Sequence, residues 1–356
     1  MTARKITNYI WAIINVIAIA IESAAIWIIS PNAKNVIKVL FILIAILVAN
    51  VVFSKVRASI QVGKISIDTW PLSNLVITAI IVLSILVQYR YYYPMYIGRC
   101  EINDARAVLE TNRAIVHGAG FIEDDQGNLY DYTNSLEALT NSYNMGNRIV
   151  ELDFLWTVDA KMVCAHESET FARGIESEGP LTEEEFLATK SYGSFTTMNI
   201  AMLADFMREH PDLYVVTDFK YDLPESCEYI SQVYPDLRER FIVQMYHYGQ
   251  YDFIKGLGFN NIILTLYLTT DDERNIEELC EFVNGHDLVA ITFWESYLDD
   301  AENWGSGKEF WSAVKGLNIP TCVHTVNDVE AIRHDFEQGV TAVYTDNVDN
   351  GWIKEY

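Results

Sequence analysis

The polarity pattern of this chain changes character near residue 100. Before that point, three long apolar stretches, 9–29, 36–53 and 72–87, are separated by short polar segments. Each is 16 to 21 residues long, close to the ~20 that an α-helix needs to cross a hydrocarbon core. The pattern predicts a membrane anchor of three transmembrane helices over 1–96, and two further spans after the first argue against a cleaved signal peptide. Beyond residue 100 the apolar runs shorten. Eight of them, 114–117, 149–154, 214–220, 241–246, 261–267, 288–294, 321–326 and 342–345, read as strands, with 162–165 as an added hairpin strand. Between them, 135–145, 199–209, 275–283 and 328–338 carry apolar residues at helical spacing. Alternating strands and helices over 256 residues predict an α/β fold, a TIM (β/α)8 barrel over 97–356. The connection from the anchor is expected around 96–107.

Charge divides the chain at the same place. Residues 1–100 carry nine Lys/Arg and two acids, Glu22 and Asp68, while the remaining 256 carry 16 basic and 47 acidic residues. The second part is thus near −31 within a chain of −24. Arg4 and Lys5 precede the first span and Lys55, Arg57 and Lys64 lie between the second and third, against Lys34 and Lys38 beside the first loop. The positive-inside rule then predicts a multi-pass cell-membrane protein with a cytoplasmic N-terminus and an extracytoplasmic barrel, with Arg90 and Arg99 pulling weakly the other way. The Tyr-rich run 89–96 suits an interfacial aromatic belt. A barrel this acidic repels phosphate backbones, which argues against nucleic acid as a partner. Any phosphate-bearing ligand needs a local cation. The five cysteines, Cys100, Cys164, Cys227, Cys280 and Cys322, form no Cys-x-x-Cys pair and read as free thiols.

The most informative stretch is 148–167. Its strand is apolar except for Glu151 and Asp153, which lie two apart, share a face and stand roughly 6.5 Å apart along the strand. Two like charges buried that close call for a cation between them, and oxygen ligands suit a hard divalent metal. Taken alone, a Glu-x-Asp pair could equally end an exposed strand. The turn Val158-Asp159-Ala160-Lys161 then reverses the chain, returning His166 to the same end. In a barrel, chemistry gathers at the C-terminal ends of the strands. That rule brings His117, Glu151 with Asp153, Asp218 with Lys220, Gln244 with His247, Trp294 with Glu295, and His324 with Asn327 to one mouth. Asp346 reads as a loop-fixing residue, and His210, His286 and His334 as solvated.

In order and rough spacing, Val116-His117-Gly118, Asn134-Ser135-Leu136-Glu137-Ala138-Leu139, Ile149-Val150-Glu151-Leu152-Asp153, His166-Glu167, Asp218-Phe219-Lys220, His324-Thr325-Val326-Asn327 and Gly339-Val340 through Thr345-Asp346 resemble the glycerophosphodiester phosphodiesterase family. The resemblance covers about 114–348. It implies that His117 and His166 are an acid–base pair, that Glu151, Asp153 and Asp218 bind one divalent ion, Ca²⁺ or Mg²⁺, and that Lys220 contacts the phosphate. It also implies attack by the substrate's own hydroxyl, giving a cyclic phosphate first. The chemistry agrees: a metal and a Lys can neutralise the non-bridging oxygens, and two imidazoles can exchange one proton with the attacking and leaving oxygens. His324, Trp294 and Glu295 are the candidates for substrate contact.

Several positions depart from the family pattern. Gly118 stands where the family carries Arg, Tyr132-Thr133-Asn134-Ser135 replaces Pro-Glu-Asn-Thr, Asp218 replaces Glu, and His324 replaces Trp; the acidic loop 121–131 is longer. The expected activity is metal-dependent hydrolysis of a phosphodiester: a glycerophosphodiester, or a phospholipid or envelope glycerol-phosphate head group. Two alternatives stay open: sphingomyelinase D or phospholipase-type action on intact lipid, and a barrel kept for binding without turnover.

Overall fold

The structure, a computed structural model, describes residues 59–62, 65–68, 90 and 93–355, apart from 271, 300, 302 and 303. The chain divides into two compact units, Met1–Arg99 and Cys100–Tyr356. The three expected spans, 9–29, 36–53 and 72–87, lie outside the described residues. Among the described residues no helix is long and apolar enough to cross a membrane. In the first unit, Ser59–Val62 and Ile65–Asp68 pair as an antiparallel hairpin.

The second unit is built on eight parallel strands: β1 (Ala114–Val116), β2 (Ile149–Trp156), β3 (Tyr214–Phe219), β4 (Phe241–Met245), β5 (Ile262–Thr265), β6 (Ala290–Trp294), β7 (Thr321–His324) and β8 (Ala342–Thr345). Each pairs with the next, and β8 and β2 both pair with β1, which closes the barrel. The intervening helices are α1 (Leu136–Asn144), α2 (Ile200–Glu209), α3 (Leu223–Val233), α4 (Tyr251–Gly256), α5 (Ile276–Gly285), α6 (Gly307–Gly316) and α7 (Val329–Gln338). All eight strands fall where the apolar runs predict them. The hairpin strand Met162–Cys164 pairs antiparallel with the end of β2, setting Phe154 opposite Cys164.

Residues of opposite parity along each strand have different neighbours. Val150, Leu152, Val215, Val243, Leu264, Ile291, Phe293, Val323 and Val343 belong to the core shared with the helices. Ile115, Ile149, Val216, Ile242, Ile263, Ala290, Cys322 and Ala342 form a second cluster inside the barrel. The side chains that follow these at intervals of two reach the C-terminal end of the barrel.

Within the second unit, residues 100–107 of the expected connection are instead helical, in a helix that reaches residue 112. Its part in the second unit presents Ile102, Ala105 and Leu109 at helical spacing, all buried against the inner cluster. Burying a side chain such as Leu109 contributes about 1.5–3 kcal/mol. Arg106 donates to the Leu288 carbonyl, and Asn260 to Glu101 at 2.8 Å. Residues 100–112 therefore seal the N-terminal end of the barrel, leaving the opposite end as the mouth.

Candidate active site

The carboxylates of Glu151, Asp153 and Asp218 offer oxygens that lie within 4.8 Å of one another. Parallel pairing of β2 with β3 sets Asp153 directly opposite Asp218, and Glu151 precedes Asp153 by one full pleat on the same face. All three are buried. Burial first, and then the Asp153 charge, push the Glu151 carboxyl up to about 8. Each acid is held in place. Gly118 N donates to Glu151 Oε2 at 2.7 Å, Asn134 Nδ2 to Asp153 Oδ2 at 2.8 Å, and Tyr246 Oη to Asp218 Oδ1 at 2.7 Å. Tyr246 in turn accepts from Gln244 Nε2, whose Oε1 accepts from Tyr344.

The compensating cation within the chain is Lys220. Its Nζ lies 2.6 Å from Asp218 Oδ2 and 2.7 Å from Asp153 Oδ1. Both contacts are short, charge-assisted ion pairs. Burial disfavours the ammonium, but Asp153, Asp218 and Glu151 outweigh it and hold Lys220 strongly protonated. Three converging, buried hard oxygen donors, one with a raised proton affinity, fit a divalent cation.

His117 opens a short 3₁₀ turn directly after β1. Its Nδ1 lies 2.9 Å from Asp346 Oδ1, and Asp346 is itself fixed by Asn327, whose Nδ2 donates to Oδ2 at 2.5 Å. Burial lowers the proton affinity of His117, yet the Asp346 hydrogen bond and the charges of Glu151, Asp346 and Asp153 lift it to about 9. His166 arrives from the hairpin, as expected. Its Nδ1 donates to the Glu167 carbonyl at 2.8 Å, since a carbonyl oxygen can only accept, and this leaves Nε2 as the acceptor of the neutral ring. The ring of Tyr132 stands edge-on to both, with centroids 4.4 Å from His117 and 4.9 Å from His166.

The backbone around His117 is tight. Gly118, Ala119, Tyr132 and Asn134 all have positive φ, a conformation that concentrates at functional sites. A Cβ at Gly118 would meet Tyr132 Cα at 3.1 Å, so this position leaves no room for the family's Arg. Asn134 tolerates the left-handed turn, which lets its amide bracket Asp153 while Ser135 caps α1 by accepting from Ala138 N.

On the other side of His117, His324 lies at a ring distance of 4.8 Å. Burial, and then the charges of His117 and Lys220, hold His324 neutral. Tyr267 lies 5.3 Å from His324 and 4.6 Å from Trp294, and Trp294 presents an exposed ring. The structure thus brings together His117, His166, Glu151, Asp153, Asp218, Lys220, His324 and Trp294. It does not bring Glu295 to them: that residue is exposed and its charge acts on Asp335 of α7. His247, also expected at the mouth, is paired with Glu273 at 2.9 Å. His210 and His286 are part-buried rather than solvated, each bonded to a helix carbonyl. Asp346, expected only to fix a loop, belongs to the site through His117, and Asn134, Tyr132 and Tyr246 are site residues to which the sequence reading assigned no role.

No sequence model of a protein family matches the chain, and no curated protein sequence does either. Solved structures do. A glycerophosphoryl diester phosphodiesterase from Parabacteroides distasonis superposes with a TM-score of 0.52 at 12% identity, covering 71% of this chain and 90% of that one. A second, from the same organism, gives 0.50 at 15% identity, over 68% and 97%. A protein provisionally assigned the same activity in Silicibacter pomeroyi gives 0.52 at 18% identity, over 70% and 97%. At such identities the likeness is one of fold: the barrel is of the kind found in these glycerophosphodiester phosphodiesterases.

Proposed function

We propose that the barrel hydrolyses phosphodiesters with the help of one divalent metal, Ca²⁺ or Mg²⁺, held by Glu151, Asp153 and Asp218. The observation that carries this reading is the buried carboxylate trio within 4.8 Å, beside a histidine whose Nδ1 is held by a carboxylate. When bound, the metal would supply positive charge to the non-bridging phosphate oxygens. Lys220, between the same acids, adds a second positive charge where the phosphate would enter.

His117 and His166 divide the proton work. With Nδ1 on Asp346 and a proton affinity raised to about 9, His117 is poised to give the Nε2 proton to the leaving alkoxide. With Nδ1 committed to a carbonyl, neutral His166 takes the proton of the attacking hydroxyl at Nε2. A substrate carrying a hydroxyl next to its phosphate would then close to a cyclic phosphate, and the two rings would exchange roles when water opens it. The substrate class is a glycerophosphodiester or a lipid or envelope head group. The hydropathy of 9–87 supports a membrane tether, and its flanking charges support an extracytoplasmic barrel.

The test uses the full-length chain, stripped with chelator and assayed on glycerophosphocholine with Ca²⁺ or Mg²⁺ restored. Metal-dependent product release, absent in His117→Ala and His166→Ala, is the expected result. A folded, metal-binding protein that cuts no diester, soluble or in vesicles, refutes it.

A further inference from the structure

The mouth carries more negative charge than Lys220 balances. Glu151, Asp153, Asp218 and Asp346 meet there, and Glu167 approaches Lys220 at 3.9 Å. Lys220 itself is engaged by two carboxylates. A cation at the rim would add to the metal and Lys220 in holding an anionic phosphodiester, and the loop after His166 holds one. Arg173 N donates to the His166 carbonyl at 2.7 Å, so this residue is tied directly to the base-side histidine. Its guanidinium lies 4.2 Å from the centroid of Tyr132, the ring that also meets His117 and His166. Its other partner is Asp131, with Nη2 3.2 Å from Oδ1.

The stack fixes the plane of the guanidinium, while one bond to Asp131 leaves most of its five N–H donors free. The side chain is 40% exposed, so those donors are open to a ligand. A planar fork held still beside a histidine suits bidentate recognition of phosphate oxygens. We propose that Arg173, oriented by Tyr132, binds the phosphate of the substrate on the His166 side of the mouth. This rests on the phosphodiesterase reading for its substrate, but the phosphate contact can be measured without turnover.

The experiment uses full-length protein with saturating Ca²⁺ or Mg²⁺. Calorimetry measures the affinity for inorganic phosphate, and kinetics measure KM and kcat for glycerophosphocholine, in wild type, Arg173→Ala and Arg173→Lys. Both Arg173 and Asp131 are substantially exposed, so breaking their pair leaves the fold intact, which thermal midpoints verify. Arg173→Ala is expected to weaken phosphate binding and raise KM by about tenfold or more with a smaller change in kcat. Arg173→Lys, which keeps the charge but loses the fork, is expected to fall between. Phosphate affinity and KM unchanged in Arg173→Ala overturn the proposal while leaving the hydrolase reading intact; so does a wild-type protein that cuts diesters yet binds no phosphate. Phosphate binding that depends on Arg173 in a protein that cuts no diester supports the anion site and refutes the hydrolase.

Discussion

Replacing Asp346 with Asn tests the His117 dyad most directly, because the substitution keeps the shape and inverts one hydrogen bond. The carboxylate now serves two donors at once: His117 Nδ1 on Oδ1 and Asn327 Nδ2 on Oδ2. A carboxamide has only one oxygen. Whichever way it turns, its NH₂ faces either the His117 N–H or the Asn327 NH₂, so one bond becomes a donor–donor clash. The rise of His117 from 6.5 to about 9 corresponds to about 3 kcal/mol of preference for the imidazolium. Part of that comes from Glu151 and Asp153, which remain. Loss of the Asp346 share, on the order of 1–2 kcal/mol, predicts a fall in kcat of about fivefold to thirtyfold.

The sign fixes the pH dependence. A folded-state proton affinity raised above the unfolded value adds stability that is complete below pH 6.5 and is lost as pH rises through about 9. Thermal midpoints of wild type and Asp346→Asn should therefore differ most at low pH and converge above 9. In kinetics, the alkaline limb that reports the protonated acid should move to lower pH in the variant. Rates on glycerophosphocholine from pH 5 to 10, at saturating metal, read both effects. An alkaline limb that stays put while kcat falls would show that Asp346 acts only on the loop, and the acid role of His117 would go with it.

Three other substitutions probe the rest of the unit. Lys220→Met removes the ammonium that sits 2.6–2.7 Å from two acids; turnover should drop by about 100-fold or more, while Ca²⁺ or Mg²⁺, titrated by thermal shift, binds as tightly or tighter. Weaker metal binding would contradict this placement of Lys220. Asp335 on α7 is buried with neither carboxylate oxygen bonded, and burial followed by the Glu295 charge pushes it up to about 7. Asp335→Asn should stabilise by about 1 kcal/mol above pH 7, with the gain shrinking as pH falls toward 4; equal gains at pH 5 and 8 would exclude the charge as the cause. Leu109→Ala, in the helix that seals the barrel, should cost about 2–5 kcal/mol in denaturant unfolding without changing KM, and a loss under 1 kcal/mol would mean that the plug contributes little.

Most of the site was legible because a strand carries its own geometry. The eight strands followed from apolar runs, and the acid pair at 151 and 153 announced itself by interrupting one. The missed loop residues lie where positive φ, not periodicity, decides which way a side chain points: Tyr132 and Asn134 adopt it themselves, and Arg173 precedes Gly174, which does. No pattern in the sequence encodes the stack of Arg173 on Tyr132. The helix at 100–112 was hidden differently: Ile102, Ala105 and Leu109 keep helical spacing, but the charged residues between them made a connection the simpler reading.

The errors at the strand ends have one cause. Lying at a strand end does not by itself decide what a residue faces; parity along the strand does. Starting from the inner cluster at Ile115, Ile149, Val216, Ile242, Ile263, Ala290, Cys322 and Ala342 and stepping by two gives His117, then Glu151 and Asp153, then Asp218 and Lys220. The same steps give Gln244 and Tyr246, Tyr267, Trp294, His324 and, after β8, Asp346. Every one of these has a contact in the site. His247 and Glu295 fall on the other parity, and the structure turns both away from the carboxylates, toward Glu273 and Asp335. Closure supplies the last step: because β8 pairs with β1, the inward residue after one must lie beside the inward residue after the other. That puts Asp346 against His117 across 229 residues of sequence, a contact that two-residue periodicity and barrel closure together require.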